Sequence, residues 1–318
     1  MRKMKIIGTQ GFSAQGAFME ILCFGSLNID SVYQVEHIVQ PGETISSSSV
    51  SRNLGGKGAN QAIAIAKAGC DVFFSGNIGE DGKAFLPILD SFGVDTSLVR
   101  IQAAFTGNAI IQVDKNGQNS IILSGGGNKE ITDSQIDEVL NMFEKDDWLI
   151  LQNEINSLPL IIKKAKDRGM KIILNPSPFD NHILDYPLGD IDLFAVNEIE
   201  GAALAKTALS TDKEAILQTI HKEYPDAAIL LTLGKDGACY KGKEGEFYHG
   251  IVETDVVDTT AAGDTFLGYF IASLCKEETI EDALKTASYA ASITVSRKGA
   301  GVSIPYAEEV DKLIASAS

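Results

Sequence analysis

The stretch Val257-Asp258-Thr259-Thr260-Ala261-Ala262-Gly263-Asp264-Thr265-Phe266 is the most informative part of this sequence. Small residues lead directly into an apolar run, which predicts a loop that feeds the N-terminus of a helix over 264–274. The unpaired backbone N–H groups of such a terminus, together with the positive end of the helix dipole, form an anion site. Ala261, Ala262 and Gly263 would let a phosphate group approach the backbone there.

Asp264 stands at this predicted anion site, where its carboxylate would repel a phosphate ligand. A carboxylate beside a phosphoryl group is suited instead to accept a proton from an attacking hydroxyl. Aspartate is also a common N-cap residue. The segment alone therefore leaves both interpretations open.

A second glycine-rich stretch, Gly55-Gly56-Lys57-Gly58-Ala59-Asn60-Gln61, opens a predicted helix over 57–68. Its spacing fits neither a P-loop nor a dinucleotide-binding fingerprint. The glycines would bring backbone close to a ligand, and Lys57 and Asn60 offer donors to hydroxyl groups. The alternative is a glycine-rich helix start whose polar side chains are solvated.

Short apolar runs alternate with helical patterns along the chain. The predicted strands span 21–26, 72–76, 148–152, 171–175, 193–196 and 228–233, and the remaining predicted helices span 84–92, 134–143, 158–168, 213–224, 280–295 and 307–315. Buried strands that alternate with helices predict an α/β fold with a mostly parallel sheet that is covered on both faces.

Polar residues follow several of these strands, and ligands bind at the carboxyl ends of parallel strands. Asn28 and Asp30 follow the first strand, and their amide and carboxylate suit a polyhydroxylated ligand, although an Asx-rich turn is the alternative. Glu154 and the Asn197–Glu200 segment follow two others. Their carboxylates would suit Mg²⁺ through water, or would be ordinary acids at helix starts.

The segment 232–237 follows another strand and would be an ordinary turn by default. The strand-end groups and glycine-rich helix starts together agree better with one active site than with separate coincidences. The four histidines, His37, His182, His221 and His249, fall in none of these groups. This pattern disfavours histidine catalysis and zinc chemistry.

Two segments, 31–54 and 108–123, lack the helical period and predict a small β element added to the main body. The second contains Asn116-Gly117 between alternating runs, a strong hairpin signal. We call 31–54 and 108–123 the lid segments. Residues 1–18 match no pattern that follows and are predicted to be a non-functional N-terminal extension, so that one domain spans 19–318.

The amino-acid composition limits which binding partners and which cellular compartment are expected. The 318 residues are 44% hydrophobic and carry a net charge of −16, which argues against a nucleic acid or an anionic membrane as the main partner. No run approaches the 18 apolar residues of a membrane span. Four cysteines without a CxxC motif predict reduced thiols in a cytoplasmic protein.

The two glycine-rich motifs resemble a known family. Asp258-Thr259-Thr260-Ala261-Ala262-Gly263-Asp264 is similar to the C-terminal signature of the PfkB-type carbohydrate kinases, and Gly55-Gly56-Lys57-Gly58-Ala59-Asn60-Gln61-Ala62 is similar to the N-terminal signature in its ribokinase-like form. Asn197-x-x-Glu200 resembles the family's NxxE element. The resemblance covers about residues 19–316 and implies a three-layer α/β/α fold with a small β-sheet lid.

The resemblance also implies roles for individual residues. Asp264 would be the catalytic base, and Ala261, Ala262 and Gly263 would form the anion hole. The sugar would be bound by Asn28, Asp30, Gly56, Lys57, Asn60, Glu154 and Asp264. The nucleotide would be bound by Asn197, Thr232, Gly234, Gly237, Gly263 and Ser288, the last at a position where the family often has His or Asn. Mg²⁺ would lie near Asn197 and Glu200, and K⁺ near Asp258, Thr260, Thr294, Arg297, Gly299 and Ser303.

The activity implied is ATP-dependent phosphorylation of a free sugar at its primary hydroxyl, with D-ribose as the expected substrate and D-ribose 5-phosphate as the product. Deoxyribose, fructose and nucleosides remain alternative substrates. A non-catalytic regulator that binds a sugar or a nucleotide is the alternative of another class. The resemblance further implies a homodimer formed through the β lid.

Overall fold

The computed structural model describes residues 19–209 and 211–317, so the predicted extension, residues 1–18, lies outside the described residues. Within these ranges the strands are β1 Ile21–Phe24, β2 Asn28–Gln34, β3 Ser49–Gly55, β4 Val72–Ile78, β5 Val94–Ile101, β6 Gly107–Val113, β7 Asn119–Ser124, β8 Trp148–Gln152, β9 Lys171–Asn175, β10 Leu193–Asn197, β11 Ala228–Thr232, β12 Ala238–Gly242 and β13 Gly245–His249. The α-helices are α1 Lys57–Lys67, α2 Leu86–Ser91, α3 Asp133–Leu140, α4 Leu158–Asp167, α5 Glu198–Leu204, α6 Lys213–Glu223, α7 Ala262–Cys275, α8 Ile280–Val295 and α9 Ala307–Ala317.

A nine-stranded sheet forms the body of the protein, with the order β13-β12-β11-β10-β9-β8-β1-β4-β5. The seven strands from β11 to β5 in this order pair in parallel. At the first edge in this order, β12 pairs antiparallel with β11, and β13 pairs antiparallel with β12. The prediction of an α/β fold with a mostly parallel central sheet is confirmed.

The side chains of the central strands point alternately to the two faces of the sheet, which divides the apolar core into two layers. Ile21 and Cys23 of β1 pack in a cluster with α1, α7 and α8. Leu22 and Phe24 pack in a second cluster with α3, α4 and α6. Successive side chains of a strand point to opposite faces, so the helices cover both faces and give the predicted three layers.

A separate four-stranded sheet, which we call the small sheet, has the order β3-β2-β6-β7. It contains the regular parts of both lid segments, while 35–48 has no strand. The predicted hairpin is confirmed in β6 and β7. Its turn is held by Asp114 Oδ1, which accepts the backbone N–H groups of Asn116 and Gln118 at 2.8 and 2.9 Å, and Gly117 takes the positive φ of 79° that the turn requires.

Several elements differ from the sequence prediction. The strands β5, β12 and β13 lie where the sequence predicts no strand, and α5 begins where the sequence offers a helix start only as an alternative. The helix expected over 84–92 is instead a 3₁₀ segment, Glu80–Phe85, followed by α2. Pro87 explains the division, because proline is accommodated in the first turn of an α-helix but not in its interior.

The helices α1 and α7 pack closely, and both begin beside the carboxyl ends of the body strands. Gly268 makes the crossing possible, because a Cβ there would overlap Ala64. All four cysteines are free thiols, two of them buried. Of the helices in residues 19–209 and 211–317, none has the length and apolar character needed to cross a membrane.

Candidate active site

A cavity of about 250 Å³ opens where α1 and α7 begin. Strand ends and the residues that follow them form one wall, and the two helix starts form the other. The lining residues are Lys57, Asn175, Ser177, Ala195, Val196, Asn197, Glu200, Leu230, Thr232, Thr259, Ala261, Ala262, Gly263, Asp264, Phe266 and Leu267. The cavity thus brings together residues that the sequence predicts for the anion hole, the base, the sugar and the nucleotide.

The start of α7 leaves backbone donors free. Ala261 is the N-cap residue and has φ of 61°, with no side-chain cap. Its carbonyl accepts the N–H of Thr265 at 2.8 Å, and the N–H of Ala262 donates to Thr259 O at 3.2 Å. The N–H groups of Gly263 and Asp264 have no acceptor within the described residues, and the space above Gly263 is open. These two amides can therefore receive an anion at the positive end of the helix.

Asp264 does not act as an N-cap, so the capping interpretation is wrong. It is the third residue of α7, and its side chain turns to α1. Oδ1 accepts Gln61 Nε2 at 2.9 Å, and Oδ2 accepts Asn60 Nδ2 at 3.2 Å. Only 8% of Asp264 is exposed, and that part faces the cavity. The carboxylate is thereby held by two amides beside the free N–H groups.

Glycines allow α1 to begin against the connection between β1 and β2. Gly56 has φ of 95°, which favours glycine. A Cβ at Gly58 would lie 2.5 Å from Ser26 N. The alternative of solvated polar side chains is wrong, because Asn60 is buried and Lys57 is partly buried.

Lys57 is surrounded by carboxylates. Burial opposes its charge, but Asp264, Glu154 and Glu200 outweigh that effect and raise the pKa of Lys57 above its usual value. Its backbone N–H also donates to Glu154 Oε2 at 3.0 Å. The site therefore holds a positive charge at Lys57 among the carboxylates of Asp264, Glu154 and Glu200.

Asp30 and Glu154 form an acidic pair near Lys57. Burial, and then the neighbouring charge of Glu154, raise the pKa of Asp30 to about 7. Glu154 is held by the Ser26 hydroxyl, which donates to its Oε2. Gly55 faces Asp30 so closely that a Cβ would overlap its carboxylate. The carboxyl group of Asp30 is thus harder to ionise than an exposed aspartate, and its oxygens can accept hydrogen bonds from hydroxyl groups.

Asn28 and Asp30 belong to the strand β2, so the Asx-turn interpretation is wrong. Asn28 Oδ1 accepts Asn128 Nδ2 at 2.7 Å. Asn128 is 2% exposed, and its Oδ1 accepts the N–H of Leu27 at 3.1 Å. No motif in the sequence predicts a role for Asn128, although it ends the run Gly125-Gly126-Gly127-Asn128, whose glycines mark a close backbone approach.

The candidate nucleotide residues differ in their placement. Asn197 and Thr232 line the cavity. Gly234 and Gly237 form the turn after β11 with φ of 53° and 84°, and a Cβ at Gly237 would overlap His249 O. Ser288 lies in α8, away from the cavity lining, and its hydroxyl donates to Leu284 O at 2.8 Å.

Asn197 and Glu200 form a reciprocal capping box at the start of α5. The N–H of Glu200 donates to Asn197 Oδ1 at 2.9 Å, and the N–H of Asn197 donates to Glu200 Oε2 at 3.0 Å. The helix-start interpretation is therefore confirmed for Glu200. Its carboxylate still lines the cavity, and a carboxylate oxygen is a ligand that Mg²⁺ prefers.

The candidate K⁺ residues lie on two segments that Asp258 joins. Asp258 Oδ2 accepts the N–H of Gly299 at 3.0 Å, and Oδ1 accepts both the hydroxyl and the N–H of Thr260. Burial opposes the charge of Asp258, but the bonds from Thr260 and Gly299 and the nearby Lys298 outweigh it and lower its pKa. A charged carboxylate therefore fixes the geometry of this loop.

The other members of that group are engaged in the same region. Thr294 and Ser303 are buried, and their hydroxyls donate to Ala290 O at 3.1 Å and Ala300 O at 2.7 Å. Arg297 pairs with Glu309 at 2.5 Å. One carboxylate with neutral hydroxyl and carbonyl oxygens is a donor set that fits a monovalent cation.

Comparison with known proteins agrees with the resemblance seen in the sequence. The model of the pfkB family carbohydrate kinase matches residues 19–307. A ribokinase from Haemophilus influenzae is 34% identical over 90% of this chain and 95% of its own length. A deoxyribokinase from Salmonella typhi is 29% identical over 93% of this chain and 99% of its own. The structure of the Arabidopsis thaliana ribokinase complexed with ribose and ATP has a TM-score of 0.81 at 33% identity, covering 93% of this chain and 98% of that one.

Proposed function

The chain belongs to the pfkB family of carbohydrate kinases, and we propose that it transfers the γ-phosphoryl group of ATP to the primary hydroxyl of D-ribose. The product is D-ribose 5-phosphate. The observation that carries this proposal is the buried Asp264 carboxylate beside the free N–H groups at the start of α7. A binding protein without catalysis has no need of a base at an anion site.

The reaction needs positioning and charge stabilisation more than covalent catalysis. Asp264 accepts the proton of the primary hydroxyl as the hydroxyl oxygen attacks the γ-phosphorus of ATP. The bond from that phosphorus to the β–γ bridging oxygen breaks, and ADP leaves with its electron pair. The N–H groups of Gly263 and Asp264 donate to the transferring phosphoryl group, with Ala261 and Ala262 leaving room for its approach. Lys57 supplies a positive charge beside them.

The sugar is proposed to bind beside Lys57. Asp30 and Glu154 accept bonds from its hydroxyls, and Lys57 donates to them. Asn60 Oδ1 supports this proposal, because it is buried with no donor among residues 19–209 and 211–317, and an unpaired buried acceptor is costly. The complete proposed set is Asn28, Asp30, Gly56, Lys57, Asn60, Glu154 and Asp264.

ATP is proposed to lie over the strand ends on the other side of the cavity. Asn197 and Thr232 line that side, and Gly234, Gly237, Gly263 and Ser288 complete the proposed set. Mg²⁺ would be held near Asn197 and Glu200, where it would neutralise phosphate charge. In the described part of the chain no cluster of three or more His, Cys, Asp or Glu side chains could hold a metal, so ATP and water would supply most of its ligands.

K⁺ is proposed as an activator at the loop joined by Asp258, with Thr260, Thr294, Arg297, Gly299 and Ser303 around it. A cation there would stabilise the loop that precedes the anion site. We expect kcat to rise when K⁺ replaces a large organic cation at fixed ionic strength. Equal rates in the two salts would contradict activation by K⁺.

The small sheet is proposed to act as a lid over the sugar and as the interface of a homodimer. Its strand β2 carries Asn28 and Asp30, so closure would exclude water from the acceptor side. Its strand β7 exposes apolar side chains, which a two-fold dimer would cover. We place the protein in the cytoplasm, where its four thiols would stay reduced.

The proposed function is tested by ATP turnover with D-ribose, deoxyribose, fructose and adenosine, with phosphorus NMR of each product. D-Ribose should give the highest kcat/KM and a phosphate on its primary carbon. A preference for deoxyribose would change the substrate within the same chemistry. Turnover with none of the four, despite calorimetric binding of ribose or ATP, would favour the non-catalytic regulator.

A further inference from the structure

We propose that Gln61 and Gln152 form a relay of buried amides that positions the Asp264 carboxylate for proton transfer. We call these two residues the amide relay. The inference rests on the proposed role of Asp264 as the base. Neither glutamine is proposed to be a catalytic residue, because each acts on the reaction only through Asp264.

Gln61 lies behind the carboxylate. Its Nε2 donates to Asp264 Oδ1 at 2.9 Å and to Asn175 Oδ1 at 3.3 Å. The residue is 1% exposed, so water does not compete for these bonds. One oxygen of Asp264 is therefore fixed from the protein side.

Gln152 decides which way the Gln61 amide points. Gln152 Nε2 donates to Gln61 Oε1 at 2.6 Å, so the oxygen of Gln61 is engaged and its nitrogen faces Asp264. If the Gln61 amide were reversed, its oxygen would face the carboxylate and its nitrogen would face the Gln152 nitrogen. The reversed arrangement would lose the bonds to Asp264 and Asn175 and the bond from Gln152, and it would place like partial charges together.

The Gln152 amide is itself confined. The side chain is fully buried on β8 and lies so close to Gly25 that a Cβ there would overlap Oε1. Oε1 has no donor among the described residues. A buried acceptor without a partner is unfavourable. Gln152 thus leaves its own oxygen without a hydrogen-bond donor, while its nitrogen donates to Gln61.

The relay differs from the other amide on the carboxylate. Asn60 holds Asp264 Oδ2 at 3.2 Å, but it is also a proposed sugar ligand and can exchange partners when the sugar binds. Gln61 is not among the proposed sugar ligands, so sugar binding requires no exchange of its partners Asp264, Asn175 and Gln152. A carboxylate whose orientation is fixed in advance reaches the attacking hydroxyl with less loss of freedom.

The test replaces each glutamine by methionine, which keeps the volume and removes the amide. We expect Gln61→Met to lower kcat about ten- to a hundredfold, the rate equivalent of one hydrogen bond to a charged group. The KM values for sugar and ATP should stay within about twofold. Gln152→Met should give a smaller loss of kcat, because it frees Gln61 to reverse without removing it.

Gln135 supplies the matched control. It is a fully buried glutamine of α3 whose side-chain amide atoms have no partner in the part of the chain that the structure describes, and it lies outside the cavity lining. Gln135→Met should leave kcat unchanged, whereas Gln61→Glu, which turns a donor into an acceptor, should lose at least as much as Gln61→Met. Unchanged kcat in Gln61→Met, or equal losses in Gln61→Met and Gln135→Met, would overturn the proposal.

The Asp264→Asn background separates this proposal from the proposed function. If Asp264→Asn lowers kcat and Gln61→Met adds no further loss to it, the relay acts through Asp264, as non-additivity in a double-mutant cycle requires. Additive losses would contradict the relay and leave the base intact. A fully active Asp264→Asn would contradict the base itself. Should Gln61→Met fail to fold, the same cycle with Gln152→Met gives the decision.

Discussion

The nine-stranded sheet and the small sheet differ in how their apolar side chains are covered. All four residues of β1 are buried, because helices pack on both faces of the body. In β7 of the small sheet, Ile121, Ile122 and Leu123 are 51%, 60% and 59% exposed. Exposed apolar patches of this kind mark interaction surfaces. The strand β1 is therefore covered within one chain, whereas β7 leaves three successive apolar side chains exposed.

The same division runs through the candidate site. Asp264 and the anion site belong to α7, a helix of the body, while Asn28 and Asp30 belong to β2 of the small sheet. The groups proposed for phosphoryl transfer thus stand on a helix of the body, and two of the groups proposed for the sugar, Asn28 and Asp30, stand on the small sheet. This arrangement agrees with the proposal that the small sheet closes over the sugar while Asp264 and the anion site stay in place.

The largest expected difference between the two sheets is in stability. Phe24→Ala in β1 removes a fully buried ring and should lower the free energy of unfolding by about 3–5 kcal/mol. Ile122→Ala, its counterpart in β7, should change it by about 0.5 kcal/mol or less in the monomer. Urea denaturation of both variants measures this. Similar losses in the two would contradict the division.

The pH dependence of the stability of Asp30→Asn tests the part of the site that lies on the small sheet. An aspartate of an unfolded chain titrates near 3.9, but the pKa of Asp30 is raised to about 7 in the folded protein. Between these values the folded protein binds more protons, so the stabilising contribution of Asp30 is complete below pH 4 and is lost as pH rises to 7.

Asn cannot ionise, so the stability advantage of Asp30→Asn should grow by about 2 kcal/mol between pH 5 and pH 8. Urea denaturation at the two pH values measures it. Asp226→Asn is the control, because Asp226 is 90% exposed in its pair with Lys243 and should show almost no such change. A constant difference between wild type and Asp30→Asn would show that Asp30 titrates normally.

Ile122→Asp tests the proposed dimer. A charge buried in an apolar interface without a partner is unfavourable, so the dissociation constant should rise about tenfold or more. Light scattering over a range of micromolar concentrations measures it. If the wild-type protein is a monomer at those concentrations, the proposed dimer is wrong.

Hydrogen exchange gives the smallest expected effect. Sugar should slow exchange of the amides in Ala109–Val113 severalfold, because closure of the small sheet restricts local opening. The amides of the buried strand β8 serve as the control and should not change. Unchanged exchange in the hairpin at saturating sugar would contradict the lid while leaving the site itself untouched.

Local patterns in the sequence predicted most of what defines this site. The glycines before α1, the small residues before α7 and Asn116-Gly117 in the hairpin act within a few neighbouring residues. The amide relay could not be predicted in this way, since Gln61 bonds to Asp264 across 203 positions and to Gln152 across 91. Asn128 reaches Asn28 across 100 positions.

The missed strands have a related cause. β12 and β13 lie at the edge of the body and contain Gly242, Gly245 and charged residues, so their apolar signal is weak. β5, at the other edge, begins Val94-Asp95-Thr96-Ser97. Edge strands are stabilised by pairing with a neighbouring strand. This pairing cannot be predicted from the residue pattern of one segment alone.

The most direct test of the account is the turnover of Asp264→Asn with saturating ATP and D-ribose. Asn keeps the shape of the side chain but cannot accept the hydroxyl proton. We expect kcat to fall about 10²–10⁴-fold, while circular dichroism and the calorimetric affinity for ribose stay close to wild type. Turnover within about threefold of wild type would contradict the central claim, because a general base contributes far more than that.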